Sequence, residues 1–201
     1  MTAIGRIVLS VVLAIGSIGP GAATLAQADA DVDPAPARLA GQEVFGFLPH
    51  WELTRASSID FDTLTTLAWF GVEAGRDGRL IRQDADGTPT RGWAGWTSEA
   101  FAAVREQARA SDVRVVLTVE RFAWSAAGRR VTRRLLSDPE ARSTLAAEIV
   151  EAITEAEADG VNLDFEPLPR KVRSEFVRLV RELRRALDAV DPSLQLTFDL
   201  T

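Results

Sequence analysis

The sequence predicts an α/β fold built on parallel strands. Five short runs rich in β-branched and aromatic residues have strand length: 43–48, 64–70, 113–119, 160–165 and 194–200. Amphipathic helical patterns separate the later runs. Strand, helix, strand, helix in that order calls for parallel pairing through right-handed crossovers.

Each element carries its own signals. The first run, "EVFGFL", is joined to the second, "LTTLAWF", by residues 49–63, which show no strong helix signal. The connection over 71–97 is long and rich in Gly and Asp. It holds Trp93 and Trp96, open between a substrate-gripping loop and a small satellite core, and "DADG" at 84–87, which signals a small hairpin. Ser98 is an N-cap for the helix expected over 98–111. Asp138 caps the helix expected over 138–159 and Pro139 starts it, with Leu145, Ile149, Ile153 and Ala156 at helical spacing. The helix over 169–190 aligns Val172, Phe176, Leu179, Leu183 and Leu187 on one face. The run "RRVTRR" at 129–134 reads as a solvated loop or helix face.

Composition narrows the chemistry. The chain has 201 residues, with apolar and charged fractions in the ordinary globular range, so it can bury a core. A net charge of −6 argues against nucleic acid and anionic membrane surfaces as partners. There is no cysteine and one histidine, His50, which excludes a thiolate metal site and disfavours a histidine-based triad. Reactive groups are then Asp, Glu, Asn and aromatic rings. His50 itself is expected in a loop rather than in the chemistry.

Residues 1–28 look like a cleavable export signal. Arg6 precedes the apolar run "IVLSVVLAIGSI" at 7–18, Gly19, Pro20 and Gly21 break it, and "AQA" at 26–28 supplies small residues for cleavage after Ala28. The run is shorter than the roughly 18–20 residues a membrane span requires. Residues 29–42, rich in Ala, Pro and Asp, read as a linker, and ordered structure is expected from Glu43. The expected product is secreted, free of the membrane once the signal is removed, and monomeric.

The stretch "DGVNLDFEP" at 159–167 carries the chemistry. On a strand, residues two apart share a face. Val161, Leu163 and Phe165 then pack under helices, while Asn162, Asp164 and Glu166 turn to the other side. A sheet covered on both faces would be apolar on both. Burying two carboxylates there costs several kcal/mol unless they are hydrogen-bonded or face a wet mouth. Pro167 and Pro169 end the strand, so Glu166 stands at its carboxyl end, where α/β barrels build active sites. Carboxyls with Cα atoms about 6.5–7 Å apart push one pKa up, which leaves a proton donor beside an ionised carboxylate.

"DGVNLDFE" resembles the Asp-x-x-Asp-x-Asp-x-Glu signature of family 18 glycoside hydrolases, the chitinase-like (β/α)8 TIM barrels, where it ends the fourth strand. The strand count here also reaches four at this point. "VFGFLPHWE" at 44–52 is similar to the family's first strand. Asn162 in mid-motif resembles the branch of bacterial spore-cortex and cell-wall N-acetylglucosaminidases. The resemblance covers residues 43–201. It implies a substrate-assisted, retaining cleavage of β-1,4-linked N-acetylglucosamine polymers, chitin or peptidoglycan glycan, with no metal and no organic cofactor.

Carried onto matching positions, the resemblance makes Glu166 the acid that protonates the leaving oxygen and Asp164 the group that orients the acetamide. It gives Asp159 a supporting role for Asp164 from deeper in the barrel. Asn162 stands where the signature has Asp; it can hydrogen-bond Asp164 but cannot share a proton with it. At other strand ends, Trp51 and Trp69 are candidates to stack on sugars, with core packing the alternative for Trp69. Glu73 and Glu120 are candidates to line the mouth.

A complete barrel of this kind runs to about 250 residues. Five strands are expected here, and the sequence has no tyrosine, a residue the family's later strands supply. The expectation is therefore an incomplete barrel, the amino-terminal part of a glycosidase. Three rivals stand beside it. One is a non-catalytic, carbohydrate-binding chitinase-like protein or inactive fragment. One is a metal-dependent enzyme with Asp159, Asp164 and Glu166 as ligands. The last is a structural exported protein.

Overall fold

The computed structural model describes residues 42–199. The export signal expected at 1–28 and all but the last residue of the linker at 29–42 lie outside them.

Five parallel strands form one sheet in chain order: β1 (Phe45–Pro49), β2 (Thr66–Glu73), β3 (Arg114–Glu120), β4 (Gly160–Asp164) and β5 (Gln195–Asp199). Helices α1 (Arg91–Trp96) and α2 (Glu99–Ala110) connect β2 to β3, α3 (Ala126–Ser137) and α4 (Pro139–Glu155) connect β3 to β4, and α5 (Arg173–Asp188) connects β4 to β5. The sheet is strongly rolled. β1 and β5 occupy its opposite edges, yet Gln195 at the start of β5 donates a 2.6 Å bond to Glu43, just before β1. The same Glu43 carboxylate accepts from Thr66 at 2.9 Å and from Arg114 at 3.1 Å. This is the curvature of five successive strands of a (β/α)8 barrel, with a concave inner face and helices outside.

The helices start where side chains can satisfy their free amides. Ser98 accepts from Phe101 N, Ser125 from Gly128 N, and Asp138 from Glu140 N ahead of Pro139. Their apolar faces meet the outer face of the sheet. Leu145, Ile149 and Ile153 of α4, Phe176, Leu179, Leu183 and Leu187 of α5, and Val161, Leu163 and Phe165 of the fourth strand region all lie in one buried cluster. Arg142 is a buried charge within it. Its guanidinium forks onto both carboxylate oxygens of Glu182 at 3.1 Å and donates to Leu136 O at 2.7 Å, which locks α4 to α5.

The two connections are more ordered than the sequence implies. Residues His50–Ser58 form a 3₁₀ helix, where no helix signal was evident. Its residues lack the 3.6-residue apolar stripe, since a 3₁₀ segment repeats every three residues. Between Glu73 and Arg91 an antiparallel bridge of Gln83 with Pro89 realises the hairpin around 84–87, and a second, of Ala74 with Leu80, closes another turn over 75–79. Trp96 is buried against Phe101 in the main core, and the partly buried Trp93 packs against that core with Arg82 over its ring at 4.6 Å, so this pair extends the main core rather than forming a separate one. The 129–134 arginines ride on α3, which buries Thr132 among them.

Gly160 starts β4 with φ +151°, and a Cβ there would lie 2.1 Å from Gln195 O. Gly87, at φ +85°, has open space around it. Gly160→Ala is therefore expected to lose several kcal/mol in urea denaturation, because both strain and the β4–β5 junction are hit. Gly87→Ala should lose only about 1 kcal/mol, the cost of a left-handed backbone alone.

Candidate functional site

The inner face of the sheet divides into two halves. On the β1–β2 side it is aromatic. Phe47 packs edge-on against Phe70 with ring centroids 6.0 Å apart, Phe45 lies 5.2 Å from Phe47, and Phe122 lies 6.3 Å from Phe70. Trp51, from the 3₁₀ helix after β1, also meets Phe70 edge-on at 6.2 Å and is 59% exposed. An exposed indole beside the mouth of a sheet is a ready platform for the apolar face of a sugar. Trp124, after β3, is exposed as well.

The β3–β5 side is acidic. The register aligns four carboxyl-bearing residues at the carboxyl ends of neighbouring strands: Glu73 opposite Glu120, Glu120 opposite Asp164, and Asp164 opposite Asp199. Glu166 follows two residues after Asp164, and its carbonyl accepts from Ala123 N at 2.7 Å, which holds the β4 exit against the β3 loop. Arg121 N likewise donates to Asp164 O at 2.8 Å.

Each carboxyl meets a different environment. Glu73 is ion-paired with the buried guanidinium of Arg121. Asp199 accepts a 2.8 Å bond from Asn162 Nδ2. Asp164 is 7% exposed, and its buried Oδ1 has no hydrogen-bond partner. Burial first, then the charges of Glu166, Asp199 and Glu120, raise its pKa to about 7. Glu120 has a buried, unpartnered Oε2. Burial and then Glu73 raise its pKa to about 7 against the pull of Arg121. Glu166 is half-buried, and its pKa is raised by desolvation and then by Asp199.

Several expected site residues thus gather at one mouth: Asp164, Glu166, Glu73, Glu120 and Trp51. Others do not. Trp69 is fully buried on the outer face, donates its Nε1–H to Gly92 O at 3.0 Å and packs on Phe101 at 4.3 Å. Strand alternation decides this, since Phe70 takes the inner face and its neighbour must point out. Asp159 lies at the opposite, amino end of β4. It is exposed, and its Oδ2 accepts from Val115 N at 2.7 Å, so it clamps β3 to β4 and is remote from Asp164. That separation also removes a metal site made of Asp159, Asp164 and Glu166. Among the described residues, no group of three or more His, Asp or Glu is placed to hold a metal ion.

Asn162 is on the inner face and buried, but it bonds to β5 rather than to Asp164. Its amide donates to Asp199, and its carbonyl accepts from Thr197 at 2.7 Å. Asp199 and Thr197 are the residues that sequence reasoning missed. The alternation in "LQLTFDL" carried the signal, because Gln195, Thr197 and Asp199 are the polar set of a strand pairing with β4.

The family model for glycosyl hydrolases family 18 matches residues 43–198, and the chain belongs to that family. No curated protein sequence matches it. Among solved structures, a chitinase-like agglutinin from Robinia pseudoacacia superposes with a TM-score of 0.62 at 19% identity, over 78% of this chain and 46% of its own. A family 18 chitinase from Cycas revoluta in complex with (GlcNAc)3 gives 0.60 at 21%, over 77% of this chain and 44% of its own. The spore cortex-lytic enzyme SleL of Bacillus cereus gives 0.57 at 18%, over 77% and 34%. The chain spans less than half the length of each of these structures.

The raised carboxyls make stability depend on pH. Asp164 and Glu120 bind their protons more tightly folded than unfolded, so the folded chain carries extra protons from about pH 4 up to about pH 7. Stability contributed by their protonated forms is lost as pH rises through that window. The urea midpoint should fall from about pH 4 to about pH 7 and level off above that, and Asp164→Asn should flatten that fall.

Proposed function

We propose that this family 18 member is an exported glycosidase that cleaves β-1,4-linked N-acetylglucosamine polymers with retention, helped by the substrate's own acetamide. The observation that carries the reading is Asp164: a buried carboxyl with a free oxygen, two residues before the less buried Glu166, at the carboxyl end of a central strand. A structural carboxylate at that depth would be expected to have its oxygens satisfied.

Glu166, with its pKa raised, holds a proton for the glycosidic oxygen. As that bond breaks, the acetamide carbonyl oxygen bonds to the anomeric carbon, and a positive oxazolinium ring forms. Asp164 accepts the acetamide N–H and faces the developing positive charge, which a low-dielectric setting strengthens. Glu166, now ionised, takes a proton from water as it attacks the anomeric carbon, and the oxazolinium opens. The aromatic half of the inner face, with Trp51 at its rim, offers stacking surface for neighbouring sugar units. Chitin and peptidoglycan glycan both carry the required 2-acetamido group. Residues 1–28, with their apolar run and "AQA" site, would deliver the protein outside the cell.

A second reading, glycan binding without turnover, is favoured by Asn162. Its amide is committed to Asp199 and Thr197, so it gives Asp164 no support from its own strand.

Incubation of the 201-residue chain with a fluorogenic N,N′-diacetylchitobioside separates the two. The glycosidase reading expects fluorophore release, and expects Glu166→Gln to lower kcat by about 10²–10⁴-fold with a smaller change in KM. Saturable binding of chitin oligomers with no release would replace it with the second reading. Export is checked separately: mass spectrometry of the protein from culture medium should find a mature terminus at Asp29.

A further inference from the structure

The four aligned carboxyls are not equivalent, because their partners differ. Glu73, from β2, is neutralised by Arg121. Asp199, from β5, is held by the amide of Asn162. Between them stand Glu120 and Asp164, directly opposite in the β3–β4 register. Each has a buried oxygen with no donor. Adjacent parallel strands are about 4.8 Å apart. The other charged groups around the two are Glu73, Asp199 and Glu166, all acidic, and Arg121, which is engaged by Glu73 and also donates to Ala74 O at 3.0 Å.

Two neighbouring carboxylates in partial burial, with no cation of their own, do not both ionise near neutral pH. The space is also kept for Glu120. Residue 71 is glycine, and a Cβ there would come within 2.8 Å of Glu120 Oε2. Any larger residue at the β2 bulge would displace the carboxyl.

We infer that Glu120 and Asp164 form a single-proton pair across β3 and β4, with Glu120 holding the proton when Asp164 is ionised. Resting on the glycosidase reading, this makes Glu120 a positioning residue. It lets Asp164 carry its charge while the oxazolinium ring is positive, and it offers the proton back when the ring opens. No atom is gained or lost by the protein in the cycle. The pair replaces a support that Asn162, turned to β5, does not give.

The test is a carboxyl-carbon NMR titration of the full chain, with Asp and Glu labelled, in the wild type and in Glu120→Gln. The pair predicts that Asp164 titrates in two coupled steps in the wild type. In Glu120→Gln it should titrate in one step, with a midpoint about one pH unit lower, since a like charge has been removed. An Asp164 curve that Glu120→Gln leaves unmoved overturns the inference. If Glu120→Gln does not fold, Asp164→Asn gives the reciprocal measurement: the Glu120 midpoint should fall similarly, and an unchanged midpoint overturns the inference. Where the chain turns over the chitobioside, the acid limb of kcat/KM should move down with the Asp164 midpoint in Glu120→Gln, a change that lost packing alone would not produce. The two readings fail separately. A wild type with no release but with coupled titration retains the pair and loses the glycosidase. Release that depends on Glu166 with uncoupled titration retains the glycosidase and loses the pair.

Discussion

The site depends on the burial of one side of β4. Val161 and Leu163, with Phe165 just beyond, fill the cluster under α4 and α5. A slip of one residue would turn all of them inward and bring Asn162 and Asp164 into the apolar layer, at a cost of several kcal/mol. The register is therefore specified by apolar packing on the outer face, while the chemistry stands on the inner one. The same register, carried across the sheet, brings Glu73, Glu120 and Asp199 into line with Asp164.

The rolled sheet does the rest. A flat sheet would lay the aromatic side chains of β1 and β2 and the acids of β3 to β5 along one plane. Curvature turns them toward a common space, as the bond from Gln195 to Glu43 shows at the amino end. Position along the strand then divides labour. Residues at the amino ends, such as Asp159 and Glu43, are spent on backbone and side-chain clamps. At the carboxyl ends, Glu120 and Asp164 keep unsatisfied oxygens. This is the division between stability and activity found in barrel enzymes generally.

Much of this was legible in the sequence, and the misses have definite causes. All five strands and the helices α2, α4 and α5 announce themselves through period, and α2 and α4 also through Ser98 and Asp138 as caps; α3, capped by Ser125, reads in the sequence only as a solvated loop or helix face. Alternation also placed Asp164 and Glu166 on one face at a strand end. Trp69 was ambiguous because a tryptophan on a strand reads alike on either face until the neighbouring Phe70 is assigned to the inner one. Asp159 was given a supporting role by its place in the motif. Its side chain instead meets the amide of Val115, a contact 44 residues away that no local pattern encodes. The partner of Asn162 had to come from β5, whose pairing is a property of the sheet and not of the motif.

Electrostatics explains why that last detail matters. Of the acids lined up across β2 to β5, the two outer ones have acquired donors, one a guanidinium and one an amide. The inner two have none. Supplying Asp164 with a donor from Asn162 would satisfy its free oxygen and favour its ionised form, which would lower its pKa and stabilise the fold near neutral pH. The arrangement instead leaves Asp164 with an open acceptor, the position that the proposed glycosidase reading gives to an acetamide N–H. A bound substrate would then supply the missing hydrogen bond, and its affinity would include the relief of a desolvated, unpartnered carboxyl. Unsatisfied buried groups are rare in folded proteins because each one costs stability. Such atoms also occur on His50, Arg82 and Arg184, but the two carboxyl oxygens among them, Glu120 Oε2 and Asp164 Oδ1, stand side by side at the carboxyl ends of β3 and β4, and that pairing is the physical argument that this mouth binds something.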